Sequence, residues 1–438
     1  MIEPGGSEGG RGHGTGFEPE RGTARTTGRY VVAFTDAEPD PARVLRSVAG
    51  LSTVADSRDF TEQALDMSES AGADATVFAE LGVAVVTVSD EQLGVLQTSA
   101  EAGGTVLAVA PELVHRVLPV GGDYVRGYRD GVSDLQRRLA DGAATDTVAA
   151  ETGAQFEDNE QATWGVQATR AGTSSRSGRG VKVAVLDTGM DSTHPDFAGR
   201  PVTARSFVDG ETPQDGHGHG THCIGTACGP KEPNGSRRYG VAHEADIFAG
   251  KVLGSDGSGT DAGILAGINW AVANGCAVIS MSLGADVARP HPPYTIAGRR
   301  ALARGSLIVA AAGNNADRPG NPGFVGAPAN SPSIAAVAAV DSRMQIARFS
   351  ARSLPGRGGQ VDLAGPGVDV YSSWPMPQRY RIISGTSMAT PHASGVAALL
   401  AEVSGHRGLQ LWATLTKESR RLLLPSVDVG SGLVQATP

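Results

Sequence analysis

Cysteine is scarce in this chain, with only Cys223, Cys228 and Cys276 among 438 residues. That excludes a scaffold built on disulfides and leaves room for one pair, which spacing alone does not establish. Aromatic residues are few as well, at 5%, whereas glycine is plentiful, at 60 residues. Such a balance predicts an interior of Ala, Val, Leu and Ile folded through many tight turns. No apolar run approaches the roughly 18 residues that span a membrane. No Lys- and Arg-rich run offers a footprint for nucleic acid. Neither a membrane nor a nucleic acid is therefore expected as a partner. The opening segment MIEPGGSEGGRGHGTGFEPERG lacks the basic, apolar and small-residue order of a secretory leader. Taken as written the chain is cytoplasmic; a different start or an atypical export route would make it secreted.

What is present is length and pattern. The chain has room for two or three domains. Residues 1–28 hold little that can be buried and are expected to be a disordered tail. A small α/β unit follows over 29–119, with strands RYVVAFT (29–35), GVAVVTVS (82–89) and TVLAVAPE (105–112) and helices PARVLRSVAG (41–50) and DEQLGVLQTSAEA (90–102). Residues 120–160 are small, polar and acidic and read as a linker, with one helical stretch in YRDGVSDLQRRLADG. From 161 to 438 long apolar runs alternate with helical segments: VKVAVLDTG, ADIFAGKVL, CAVISMSLG, SLIVAAAGN and SIAAVAAVD. Strands buried on both faces have this texture, so the fold class is α/β, a mainly parallel sheet covered by helices on both faces. Ligands of such sheets gather at the carboxyl ends of the strands, where Asp187, Ser282 to Gly284 and Asn314 fall.

Four segments carry chemistry. In ISGTSMATPHASGVAALLAEVSG (383–405) a turn at Gly385 is followed by Ser387 and an apolar helix. A serine there has its own N–H unpaired and a dipole that favours negative charge; a plain helix cap is the ordinary alternative. DGHGHGTHCIGTACG (215–229) offers His217, His219 and His222. A neutral imidazole among them would accept a serine proton. The same spacing also allows a metal site, although no fourth-ligand motif accompanies it, or a merely polar turn. Asp187 ends an apolar strand, as suits a carboxylate that holds a histidine tautomer, or one that makes an Asx turn. Asn314 ends another strand, where its amide would donate to a developing oxyanion beside the Ser387 N–H, or would serve only a loop.

In the order Asp, His, Ser, the motifs DTG, HGTHC and GTSMATPHASG resemble those of the subtilisin and proteinase K family of serine proteases. The resemblance runs from about Trp164 to Ala436 and includes the closing VGSGLVQA. It implies a serine endopeptidase with Asp187, His219 and Ser387 as its triad and Asn314 as an oxyanion donor, choosing His219 as the first histidine of HGTH. It implies no catalytic cofactor, protein or peptide substrates, and a monomer. Gly257, Ser258 and Gly259 on one side and Ser282, Leu283 and Gly284 on the other match segments that bind substrate as an added strand, a mode tolerant of sequence. The pocket for the residue on the acyl side of the cut is walled by Ser282–Gly284 and by the segment containing Ala312 and Gly313, above a floor at Gly326. Lacking an acid, it should take large apolar residues, unless Asp317 in the neighbouring loop bends inward. Cys223 matches a buried free cysteine of packing role. Asp362 and the carbonyls of Pro332 and Ile334 match a weak structural Ca²⁺ position. The N-terminal unit resembles the ferredoxin-like inhibitor propeptides of the family. That implies a self-processing zymogen, cut between about Leu118 and Thr163, with its own propeptide as intramolecular inhibitor. Two departures stand out: the linker is unusually long and the customary leader is missing. Two readings from other classes compete, an inactive member acting as a binding module and a metallohydrolase built on the three histidines.

Overall fold

A computed structural model of the chain describes residues 25–118 and 156–438, except positions 37, 39, 71 and 357. The N-terminal unit is a sheet of β1 (Thr26–Phe34), β2 (Val54–Asp56), β3 (Ala75–Phe78), β4 (Val83–Val86) and β5 (Val106–Val117), in the spatial order β5-β1-β4-β3-β2. Its two longer helices are Pro41–Ala49, capped by Asp40, and Asp90–Glu101, which opens with a Ser89–Gln92 capping box; a single turn, Met67–Ser70, lies between them in sequence. Three strands and two helices match the expectation. β2 and β3 escaped it because runs this short carry no readable period. β1 begins at Thr26, so the last residues of the expected tail belong to the sheet. The expected helix in 128–142 and most of the 120–160 linker lie outside the described residues. The linker's last residues are already docked, with Phe156 N–H donating to Ser342 O at 2.9 Å.

The second sheet contains β6 (Lys182–Asp187), β7 (Val202–Ser206), β8 (Asp246–Lys251), β10 (Val278–Met281), β12 (Leu307–Ala311), β13 (Ala335–Val340) and β14 (Leu363–Pro366). Every neighbouring pair is parallel, in the order β14-β13-β12-β10-β6-β8-β7. Side chains alternate along each strand. Val183 and Val185 of β6 therefore join one core with helices His219–Cys228 and Thr386–Ser404, while Ala184 and Leu186 join another with helices Asp261–Ala273 and Pro292–Ala303. From β6 the chain adds β7 and β8 on one side and then β10, β12, β13 and β14 on the other, so the order reverses between β6 and β10. That reversal is where an open parallel sheet binds ligands, and Asp187 and Ser282 stand there.

The two units share a core. Val32, Phe34, Ala84 and Val86 face the N-terminal unit's own helices, while Val31, Ala33, Val83 and Val85 face helices Asp261–Ala273 and Pro292–Ala303. Arg300 threads between them, donating to Leu81 O at 2.7 Å and Phe34 O at 2.8 Å. Glu112 accepts from Ala262 N at 3.0 Å, placing a carboxylate on the open end of helix Asp261–Ala273. The edge of β5 is extended by two short strands of the C-terminal unit, β9 (Ser258–Thr260) and β11 (Leu283–Gly284), both antiparallel to it. Among the described residues no helix is long and apolar enough to cross a membrane.

Candidate active site

Asp187, the last residue of β6, is buried, and its Oδ1 accepts the Nδ1–H of His219 at 2.8 Å and the Thr188 N–H at 2.8 Å. His219 is the first residue of its helix, after Gly218 at a φ of 104°. A Cβ on Gly218 would stand 2.3 Å from the Trp374 ring, so the entry requires glycine both in conformation and in space. Burial disfavours a charged His219, but the charge and hydrogen bond of Asp187 together with the neighbouring Cys223 outweigh it, and the imidazole's proton affinity is held well above the ordinary value. Its Nε2 is free of hydrogen bonds among the described residues.

Ser387 sits in the first turn of helix Thr386–Ser404. Its Oγ donates to Ser282 O at 3.3 Å rather than to His219. Its carbonyl is pinned by the Ser282 hydroxyl at 2.7 Å. Asn314 is oriented by Thr386, whose N–H and hydroxyl both donate to Oδ1 at 2.9 Å. With that oxygen engaged, the amide's Nδ2 points into the cleft.

The cleft holds the chain's own residues 114–118. Val114 to Arg116 pair with β9 and Arg116 to Val117 with β11, and Val117 N–H donates to Gly257 O at 2.8 Å. The segment ends with Leu118, whose carbonyl accepts from Asn314 Nδ2 at 3.0 Å. The Leu118 side chain is buried beside Gly284, where a Cβ would come within 3.3 Å of it.

The subtilase family model matches residues 178–427. The chain belongs to the subtilase family. Thermitase of Thermoactinomyces vulgaris is 42% identical over 225 residues, 51% of this chain and 76% of that protein. Subtilisin Savinase of Lederbergia lenta is 42% identical over 279 residues, 62% of this chain and 96% of the relative. Subtilisin DY of Bacillus licheniformis is 40% identical over 236 residues, 54% and 81% of the two chains. This subtilase is accordingly a serine-type endopeptidase, a hydrolase of peptide bonds in proteins that needs no catalytic cofactor.

Several supporting residues of the subtilase were not singled out in its sequence. Asp215 accepts from Gly218 N–H at 2.7 Å and Thr221 N–H at 2.8 Å, capping the His219 helix from a distance, since Gly218 has no side chain to do so. Thr188 ties Asp215 to Gly220, with hydrogen bonds of 2.8 Å to each. Thr386, which aims Asn314, lies inside GTSMATPHASG with nothing local to mark that task. The one signal for Asp215 was an acid a few residues before a helix.

The three histidines diverge. His222 Nε2 faces the carbonyls of Val370 and Arg381, and burial lowers its proton affinity to about 3. Among the described residues the one set of three metal-capable groups within 4.8 Å is Asp187, His219 and Cys223. All three cysteines are free and buried; Cys223 Sγ lies 3.6 Å from Ser387 O, and burial pushes the Cys228 and Cys276 thiols up to about 12.

Asp317 is exposed and pairs with Arg348 at 2.9 Å. Gly326 donates its N–H to Ala312 O at 3.0 Å, yet a Cβ on it would meet Ala285 O at 2.6 Å, so a side chain there displaces backbone before it enters a pocket. Asp362 borders a cavity of about 390 Å³ with Pro332, Ile334, Ser331, Gly358 and Trp412. Burial raises its carboxyl to about 7, opposed only by a hydrogen bond from Ala336 N–H. A half-buried carboxylate with no basic side chain paired to it among the described residues, beside polar backbone, is a donor set that fits Ca²⁺.

Proposed function

We propose that Ser387 is the nucleophile of this subtilase, His219 its general base and then acid, and Asp187 the carboxylate that holds His219. Asn314 and the Ser387 backbone N–H are the oxyanion donors. The observation that carries this reading is the 3.0 Å hydrogen bond from Asn314 to the Leu118 carbonyl, at the end of a strand-paired segment. A carbonyl held there stands in for that of the bond to be cut. Ser387 Oγ adds to the substrate carbonyl carbon as its proton passes to His219 Nε2. The oxyanion is stabilised by its donors, and the C–N bond breaks as His219 protonates the leaving nitrogen. Water then hydrolyses the acyl-enzyme by the same proton path.

Gly257, Ser258 and Gly259 on one side, and Ser282, Leu283 and Gly284 on the other, take the substrate backbone as a strand. Ala312, Gly313 and Gly326 bound the pocket for the acyl-side residue. Burying a Leu-sized side chain there contributes about 1.5–3 kcal/mol, whereas a buried Lys or Arg would lack a counter-ion. Large apolar residues are preferred. Leu118 in that position and the pairing of Asp317 with Arg348 both favour this.

The N-terminal unit, residues 29–119, is an inhibitor propeptide that fills the cleft, and the subtilase is a self-processing zymogen acting as a monomer. Asp362 with the Pro332 and Ile334 carbonyls would hold a structural Ca²⁺, which takes part in no catalytic step. The test is N-terminal sequencing of the purified full chain beside its Ser387→Ala variant. Wild type should lose residues up to a point between Leu118 and Thr163, and the variant should stay whole. Equal maturation in a host without other proteases would refute self-cleavage.

A further inference from the structure

Beyond the pocket for the acyl-side residue, the cleft contains a second enclosed site, three residues further along the bound segment. With Leu118 in the acyl position, Val117, Arg116 and His115 are the second, third and fourth residues. Alternation along the strand turns Arg116 outward and His115 inward. His115 and Asp261 are both fully buried, with Nε2 of the imidazole 2.7 Å from Asp261 Oδ1. Tyr294 hydroxyl donates to the same oxygen at 2.7 Å, its ring edge-on to the imidazole with centroids 5.5 Å apart. The other oxygen, Oδ2, accepts the Leu113 N–H at 2.7 Å, and His291 stands 3.9 Å away while facing Pro111 O at 3.0 Å. Glu112, the remaining acid nearby, is engaged by Arg29 and by Ala262 N–H.

We propose that Asp261 makes this cleft selective for a side chain carrying an N–H donor, histidine foremost, at the fourth residue on the acyl side of the cut. The proposal rests on the reading of Leu118 as the acyl-position residue. Once residues 111–118 leave, Asp261 keeps the Tyr294 hydroxyl and loses both N–H donors supplied by the bound segment. A substrate with an apolar fourth residue covers the carboxylate again without replacing the imidazole N–H. A histidine restores it, at the reach that His115 already has. A hydrogen bond to a buried charged group contributes enough to separate the two substrates by about 10- to 100-fold in kcat/KM.

Matched peptides ending in His-Arg-Val-Leu and Leu-Arg-Val-Leu before a fluorogenic leaving group, given to the matured enzyme, test this. Wild type should favour the histidine peptide at least about tenfold; Asp261→Ala should bring the ratio to one or below while still cutting the leucine peptide. A wild-type ratio near or below one overturns the proposal. If Asp261→Ala does not fold, His115→Leu in the full chain decides: weaker hold of the segment should raise the full chain's rate on a small peptide about tenfold, and an unchanged rate overturns the proposal. Cleavage of neither peptide by wild type would instead refute the underlying assignment of the nucleophile and the acyl position. Replacing the terminal Leu by Lys reads the first pocket separately and should abolish cleavage.

Discussion

At the scale of single residues, the position of one proton depends on Asp187. Its Oδ1 takes the His219 Nδ1–H at 2.8 Å, which leaves Nε2 as the nitrogen with no partner among the described residues. Asp187→Asn keeps the size and removes the charge, and the loss of tautomer control is expected to lower kcat by about 10⁴. The pH profile carries a second signature. Burial disfavours the imidazolium and Asp187 favours it, with a net rise in wild type. The free enzyme therefore gains activity only as pH climbs through that raised value, where His219 becomes neutral. In the variant the favourable charge is gone and burial remains, so the acid limb of kcat/KM should move to lower pH. An unmoved limb would assign it to another group, such as His217. Of these residues, Asp187, His219, Ser387 and Asn314 stand out in the sequence at the end of a strand or the start of a helix, but position alone left each open, and the resemblance of DTG, HGTHC and GTSMATPHASG to the family's motifs is what names the triad. Thr386 was in plain view beside Ser387, but its task is to aim a side chain 72 positions away, and no local pattern carries that. Asp261 was less visible still, since its partner His115 is 146 positions distant.

At the scale of elements, strands buried on both faces were legible as apolar runs, and helices as the segments between them. The strands that escaped, β2 and β3 in the first sheet and β7 and β14 in the second, are short, at three to five residues, and carry no readable pattern of their own. Asp362 shows how one residue can act on two elements. It directly precedes β14, and Pro332 and Ile334 lead into β13, its parallel neighbour. A cation shared among them would tie the starts of both strands. The carboxyl, raised to about 7 by burial, lies above its ordinary value of about 3.9. Without metal, its contribution to stability is complete at acid pH and lost as pH rises from about 4 through about 7. Calcium requires the ionised form, so its stabilising effect should grow over the same window. The rise in Tm on adding Ca²⁺ should be larger at pH 8 than at pH 5.5 and absent in Asp362→Asn. The same rise in the variant would remove Asp362 from the site.

At the scale of the whole molecule, the N-terminal unit buries one sheet face on two helices of the protease unit and sends its last strand through the cleft. Being part of the same chain, it acts at a high effective concentration, so modest contacts suffice to keep the cleft filled. On the proposed reading of Leu118 as the acyl-position residue, the bond offered to Ser387 is the one that joins Leu118 to Pro119. A proline nitrogen carries a ring carbon where other residues carry hydrogen. The leaving nitrogen must come within hydrogen-bond reach of His219 Nε2 to be protonated, and the ring methylene crowds that approach. The segment is thus held as a substrate is held, at a bond poorly suited to cleavage. Self-processing is therefore expected beyond Pro119 and before Phe156, where the chain is docked again. Pro119→Ala removes the ring and leaves the strand pairing of residues 114–117 and the Leu118 carbonyl contact in place. Sequencing of the matured proteins should find a new N-terminus at position 119 in Pro119→Ala, none there in wild type, and none in the variant that also carries Ser387→Ala. A wild-type product beginning at Pro119 would show that the proline does not protect the bond. A Pro119→Ala protein left uncut there, although trypsin nicking of its linker releases hydrolysis of casein, would mean that Leu118 is not the residue in register with Ser387.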